Sequence, residues 1–150
     1  MITVVEYTKD KIDDVIKFEQ SIRVEEEWGW EIDDAYIKSV TDSFNNPSFD
    51  DSISLLAYAD NKVVGRIDST MIKSRFDGST KAYLDWICVV KNYRHRGVGQ
   101  ALMSTLIKRL KERNIDTLIG LTASNEEAKR FYQSVPNSIM RDIGIWIDVK

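Results

Sequence analysis

Arg94, Gly97 and Gly99 fall in an Arg-x-x-Gly-x-Gly spacing within "YRHRGVGQALM", and an apolar-periodic run starts at Val98. Glycines let a backbone approach a ligand closely. A helix start adds N–H groups without internal partners and the positive end of the helix dipole. A phosphate or diphosphate can accept from several of these at once, and Arg94 and Arg96 could add charge-assisted contacts. Two nucleotide-binding designs do not fit. A P-loop has Lys-Ser/Thr directly after its last glycine, whereas Gln100 and Ala101 follow Gly99. A dinucleotide fingerprint needs Gly or Ala three residues after its second glycine, and Leu102 stands there. A glycine-assisted turn without a ligand is the other reading that this pair allows.

Three further groups could carry chemistry. Asp85 is a carboxylate inside the otherwise apolar "AYLDWICVV", where a charge is costly unless paired, solvated or used. It is either a base or a partner for a neighbouring backbone or for Arg66. "EEEWGWE" interleaves Glu25, Glu26 and Glu27 with Trp28 and Trp30, which suits a cationic amine by charge and by cation–π contact. Equally, the tryptophans could anchor two helices while the acids stay solvated. Cys88 has no nearby histidine base and reads as structural. The single histidine, His95, belongs to the glycine turn, and no metal-ligand set is visible.

Composition limits the function classes. A chain of 150 residues, 43% hydrophobic and 30% charged, reads as one soluble domain. The lone cysteine fits a reducing compartment, and the acidic start is no secretory signal, so cytoplasmic is the expectation. No apolar run reaches about 18 residues, which argues against a membrane span. Residues 1–60 hold 5 Lys/Arg against 15 Asp/Glu, and residues 61–150 hold 16 against 9. With a pI of about 5.2 and no long basic stripe, nucleic acid is not an expected partner.

The elements that must position these groups follow from periodicity. Strands are expected at Ile2–Thr8, in "ISLLAYA" and "KVVGRIDSTMI" joined by Asp60-Asn61, over Ala82–Val90, in "DTLIGLTA", and in "IGIWIDV". Helices are expected from Lys9 to about Val24, from Asp33 to Phe44, from Val98 to about Arg113, and over Asn125–Val135. The pattern is mixed α+β around one twisted sheet.

With those elements in place, the chain resembles the GNAT superfamily of acetyl-CoA-dependent N-acetyltransferases. Three stretches carry the resemblance: "LDWICVVKNYRHRGVGQALM", "NEEAKRFYQSV" and the final strand pair. It implies a single domain with a central twisted mixed sheet of about six to seven strands and about four helices. It implies that acetyl-CoA lays its pyrophosphate on Arg94, His95, Arg96, Gly97, Val98, Gly99, Gln100 and Ala101. Its pantetheine arm would lie along Ile87, Cys88 and Val89, held further by Asn125, with Tyr132 aimed at the sulfur. Tyrosine carries its proton at neutral pH, so Tyr132 suits protonation of the departing thiolate. The alternative is a core aromatic beside Phe131. Asp85 matches the strand position of an acidic proton relay in some members, and burial would raise its pKa. The family often continues "FYxxxGF", whereas this chain has "FYQSVPN". The expected partner is a small cationic amine, with no nucleic acid, no membrane, no metal and a possible homodimer. A protein or peptide acceptor, or an acyl-CoA-binding module without turnover, are the alternatives.

Overall fold

The computed structural model describes residues 1–150 in two compact units, Met1–Ile119 and Gly120–Lys150. The first unit runs β1 (Thr3–Glu6), α1 (Ile12–Glu25), α2 (Asp34–Asp42), β2 (Ile53–Ala59), β3 (Lys62–Lys73), β4 (Thr80–Val89) and α3 (Val98–Glu112). Strand β5 (Leu118–Gly120) ends at the boundary, and the second unit contains α4 (Glu126–Gln133). The sheet order is β1-β2-β3-β4-β5, and the first three pairings are antiparallel.

Local chemistry explains the element ends. Asp33 caps α2 by accepting from the Tyr36 N–H at 2.8 Å, and Asn125 caps α4 by accepting from Ala128 N–H at 2.8 Å. The β2–β3 hairpin turns on Asp60 and Asn61, with φ of 49° and 60°. Two successive left-handed residues match the twist of a tight hairpin, and Asp and Asn tolerate that region best among non-glycines.

Strand β3 organises the first unit because its successive side chains point to opposite faces. Gly65 faces α3, while Arg66 reaches Glu19 on α1. Helix α3 buries Val98, Leu102, Met103, Leu106 and Leu110, and α1 buries Val15, Phe18 and Ile22. Between them Leu55, Leu56 and Ile67 are essentially inaccessible to solvent. A side chain at Gly65 would meet Val98 Cγ1 at 3.0 Å, Leu102 Cδ1 at 3.1 Å and the Cys88 carbonyl at 3.2 Å. The missing side chain is what lets α3 lie this close.

The β3–β4 ladder carries an irregularity. Asp68 pairs with Trp86 and Ser69 with Leu84, so Asp85 is an extra residue in β4. Such a bulge re-aims side chains and bends the strand. It puts Asp85 on the exposed surface, not in the buried position that its apolar neighbours imply.

Two expectations are corrected. The sheet has five strands, not six to seven. "DTLIGLTA" forms only Leu118–Gly120, and no strand forms over Ile143–Val149. Alternation makes a segment competent for a sheet, but a strand exists only where a neighbouring backbone accepts its ladder. Here Ile143 and Val149 stay more than nine-tenths exposed.

Gly65→Ala is expected to lower the stability of the first unit by about 1–3 kcal/mol through overpacking against α3 and the Cys88 carbonyl. Urea unfolding of the variant beside the wild type measures this; an unchanged midpoint would mean that α3 is free to shift.

Candidate active site

The glycine turn is built from a short 3-10 turn at Lys91–Tyr93, left-handed His95 (φ 59°) and left-handed Gly97 (φ 82°). Gly97 is the N-cap of α3 and offers no side chain to its first turn. The first-turn N–H groups at Val98, Gly99 and Gln100 precede the first helical donor, Ala101 N–H, which reaches the Gly97 carbonyl at 2.9 Å. A Cβ on Gly97 would meet nothing within 4 Å, so the space beside the turn at that residue is open. An anion fits this arrangement.

Strand β4 supplies the second part. Ile87, Cys88 and Val89 pair on one edge with Ile67, Arg66 and Gly65. On the other edge, Ala82 N–H donates to the Thr117 carbonyl at 2.9 Å. Three-residue β5 follows directly and runs out before it could reach Ile87. That leaves backbone beside Ile87–Val89 able to pair with an extended ligand. Burial pushes the Cys88 thiol up to about 11, with Arg94 working against the shift. A thiol in that state is protonated near neutrality and is no nucleophile.

Acids at the end of α1 hold the turn. Glu26 pairs with Arg94 at 2.6 Å, and Arg94 Nε donates to the Val89 carbonyl at 2.9 Å. The Lys91 N–H donates to Glu25 Oε2 at 3.1 Å, and Lys91 Nζ donates to the Glu25 carbonyl. Glu27 is left-handed, with φ 53°. The cationic acceptor was inferred from Glu25–Glu27, and the structure puts Glu25 and Glu26 on the glycine turn instead. Arg94, expected on phosphate, spends its contacts shaping the loop. Arg96 lies over the Tyr93 ring at 5.4 Å.

The tryptophans do form a wall. A cleft of about 390 Å³ lies between Trp28, Trp30, Tyr36 and Trp86, with Glu19, Arg23 and Arg66 as its charged members. Trp28 and Trp30 stack at 5.9 Å, and Trp86 meets Trp28 edge-on at 5.9 Å. Charges alternate beneath them. Glu19, 5% exposed, takes Arg23 Nη1 at 2.6 Å on Oε2 and Arg66 Nη1 on Oε1. Arg66 Nε lies 2.7 Å from Asp68 Oδ2. Burial works against the Arg66 charge, but Asp68, Glu19 and Tyr36 outweigh it and hold the guanidinium firmly protonated. Burial raises the Asp68 carboxyl pKa, opposed by Arg66 and a Ser54 hydrogen bond and reinforced by Asp85 and Glu19. Burial also pushes the Tyr7 phenol up to about 12, and its buried oxygen has no hydrogen-bond partner.

Glu19, Arg23, Tyr36, Arg66 and Trp86 were not among the residues expected at a site. One signal was available. Positions 15, 18, 19, 22 and 23 share the buried stripe of α1, and two of them are a charged pair four residues apart. A buried charged pair on an apolar stripe marks a place where the fold needs polarity.

A family model described as "Acetyltransferase (GNAT) family" matches residues 15–135. The chain belongs to the GNAT acetyltransferase family. It is therefore an acetyl-CoA-dependent transferase. The fold agrees with solved members at low sequence identity. An aminoglycoside acetyltransferase from an uncultured soil metagenomic sample, in complex with sisomicin, is 19% identical at a TM-score of 0.80, covering 99% of this chain and 97% of that one. A ribosomal-protein-alanine N-acetyltransferase from Brucella melitensis biovar Abortus 2308 is 15% identical at 0.75, covering 98% and 97%. A predicted acetyltransferase with acetyl-CoA from Clostridium acetobutylicum is 17% identical at 0.71, covering 100% and 96%. No curated protein matches the chain.

Within this GNAT fold, the glycine turn, the Ile87–Val89 backbone and Asp85 all belong to the first unit, and Asn125 and Tyr132 belong to the second. Asn125 already spends its side-chain oxygen on the α4 cap. No group of His, Cys, Asp and Glu is placed to hold a metal, and no helix is long and apolar enough to cross a membrane.

Gly97→Ala places a side chain in open space but in a left-handed conformation, so its cost of about 1–2 kcal/mol comes from the backbone alone. Calorimetric titration with CoA is expected to show weaker binding as the turn relaxes. Wild-type affinity in a folded variant would remove the turn from the anion site.

Proposed function

We propose that this GNAT enzyme transfers the acetyl group of acetyl-CoA directly to a small-molecule amine bound in the aromatic cleft. The observation that carries this reading is the placement of that cleft. Its wall residue Trp86 is the neighbour of bulged Asp85, on the same strand as Ile87–Val89. Acceptor wall, candidate base and cofactor strand thus share one short segment. The compact aromatic walls favour a small acceptor over a protein surface, in keeping with neighbours whose names specify aminoglycosides.

The residues divide the work as follows. The α3 N-terminus and the glycine turn bind the pyrophosphate, with Arg96 and His95 at the rim and Arg94 holding the loop. The backbone of Ile87–Val89 aligns the pantetheine arm, and Asn125 supports it. The amine nitrogen attacks the acetyl carbonyl, a C–N bond forms, and the C–S bond breaks. A protonated amine cannot attack, so Asp85, exposed on the bulge, takes its proton, and Asp68, whose carboxyl burial pushes up, relays it. Tyr132 gives a proton to the departing thiolate. Burial raises the Tyr132 pKa above that of ordinary tyrosine, which keeps the acid loaded at neutral pH.

A thiol-release assay with acetyl-CoA over small amines and peptides tests the function. Small amines are expected to turn over and peptides to be poor acceptors; faster turnover of peptides would replace the small acceptor with a protein one. Incubation with acetyl-CoA alone is expected to leave the intact mass unchanged, because Cys88 is protonated; an acetylated Cys88 would overturn direct transfer.

Tyr132→Phe should lower kcat by roughly 10²–10⁴, the range of a lost acid–base step. Asp68 must be ionised to relay a proton, and its pKa is raised. The acidic limb of kcat/KM is therefore expected above the usual carboxylate range, and Asp68→Asn should move or abolish it. A limb left in place by Asp68→Asn would take Asp68 out of the relay.

A further inference from the structure

Two guanidinium nitrogens of the cleft floor are buried without a hydrogen bond, and while Arg66 Nε has Asp68 Oδ2 at 2.7 Å, Arg23 Nε has no acceptor. Arg23 is 5% exposed, and both of its hydrogen bonds leave from Nη1, to the Glu19 carbonyl at 2.9 Å and to Glu19 Oε2 at 2.6 Å. Its Nε is buried without a hydrogen-bond partner. A guanidinium presents Nε and Nη2 along one edge, and that edge matches the two oxygens of a carboxylate. No carboxylate nearby is left to serve it. Glu19 is held at both oxygens by Arg23 and Arg66, and Asp68 sits on Arg66.

A cationic acceptor meets the opposite situation. The aromatic faces that would hold it already hold Arg23, whose guanidinium carbon lies 4.0 Å from the Trp30 ring centroid, 4.9 Å from Tyr36 and 5.8 Å from Trp28. The walls of the cleft themselves carry two guanidiniums against one carboxylate. Adding an ammonium beside Arg23 costs repulsion, and adding a carboxylate gives an acceptor to a donor edge whose Nε is buried without one.

We propose that the acceptor is an amine that also carries a carboxylate, an amino-acid-like molecule whose carboxylate docks on the Nε/Nη2 edge of Arg23. This rests on reading the cleft as the acceptor site. Trp28 links Trp30, beside Arg23, to Trp86, next to Asp85. An amino-acid-like molecule would dock its carboxylate on Arg23 and lay its side chain against the indoles, with the amine beside them. Arg23 is then a specificity-determining residue, and the three tryptophans report on occupancy.

The test compares L-phenylalanine with L-phenylalaninamide, 2-phenylethylamine and kanamycin as acceptors for wild type and Arg23→Lys. Lysine keeps the charge on Glu19 but lacks the two-donor edge. The expected result is a kcat/KM preference for phenylalanine of roughly 10–100-fold over its amide and its decarboxylated form, the range of a charged hydrogen-bonded contact. Arg23→Lys should collapse that preference toward one and leave the KM for acetyl-CoA in place. Equal or better turnover of 2-phenylethylamine or kanamycin by the wild type overturns the proposal. If no amine releases thiol, the transferase reading of the cleft fails separately, and tryptophan fluorescence of the CoA-loaded protein decides this one. Phenylalanine binding that is lost in its amide and in Arg23→Lys supports the carboxylate site. Absent binding, or binding indifferent to both changes, overturns it.

Discussion

Glu19 is a carboxylate almost wholly withdrawn from water and forked between two guanidiniums, Arg23 on its own helix and Arg66 on the sheet. Removing a charge from water costs more than a single ion pair returns, so such a group survives only when several partners converge on it. Its effect is chiefly positional. It fixes the angle at which α1 lies on β3, points Arg66 toward Asp68, and holds Arg23 beneath the indoles. The aromatic cleft exists because this fork holds its floor.

The same helix controls the other half of the site. Arg23 serves the cleft, and within the next turn Glu25 and Glu26 reach Lys91 and Arg94 on the glycine loop. Strand β3 couples the two in a second way, because adjacent residues face opposite layers. Gly65 lets α3 approach, which places the helix start that offers its N–H groups, and Arg66 anchors the α1 side. One strand and the end of one helix therefore position both the glycine turn and the aromatic cleft.

Much of this was legible residue by residue. Arg94-x-x-Gly97-x-Gly99 marked the open helix start because φ > 0 and an uncapped first turn are local properties. Asp60-Asn61 likewise announced its turn, and Asp33 the start of its helix. Trp28 and Trp30 line the cleft while Glu25 and Glu26 reach the glycine turn, since sequence proximity does not say which way an α1 terminus points its acids. Asp85 shows the limit most clearly. An apolar neighbourhood implied burial, and a single-residue bulge, invisible in the pattern, turned the carboxylate outward. Ile143–Val149 shows it too, because alternation reports competence for a ladder and not the presence of a partner.

The sequence by itself determined the family, the order of elements up to the last helix, and the glycine turn, all of which rest on short-range spacing. Only the tertiary structure decided which charges meet. Glu19 and Arg66 are 47 residues apart, and Arg94 and Glu26 are 68 apart. A charge's role depends on what faces it across the sheet. That pairing turned an acidic, tryptophan-bearing segment that suggested a cationic guest into a cleft whose unsatisfied group is a donor.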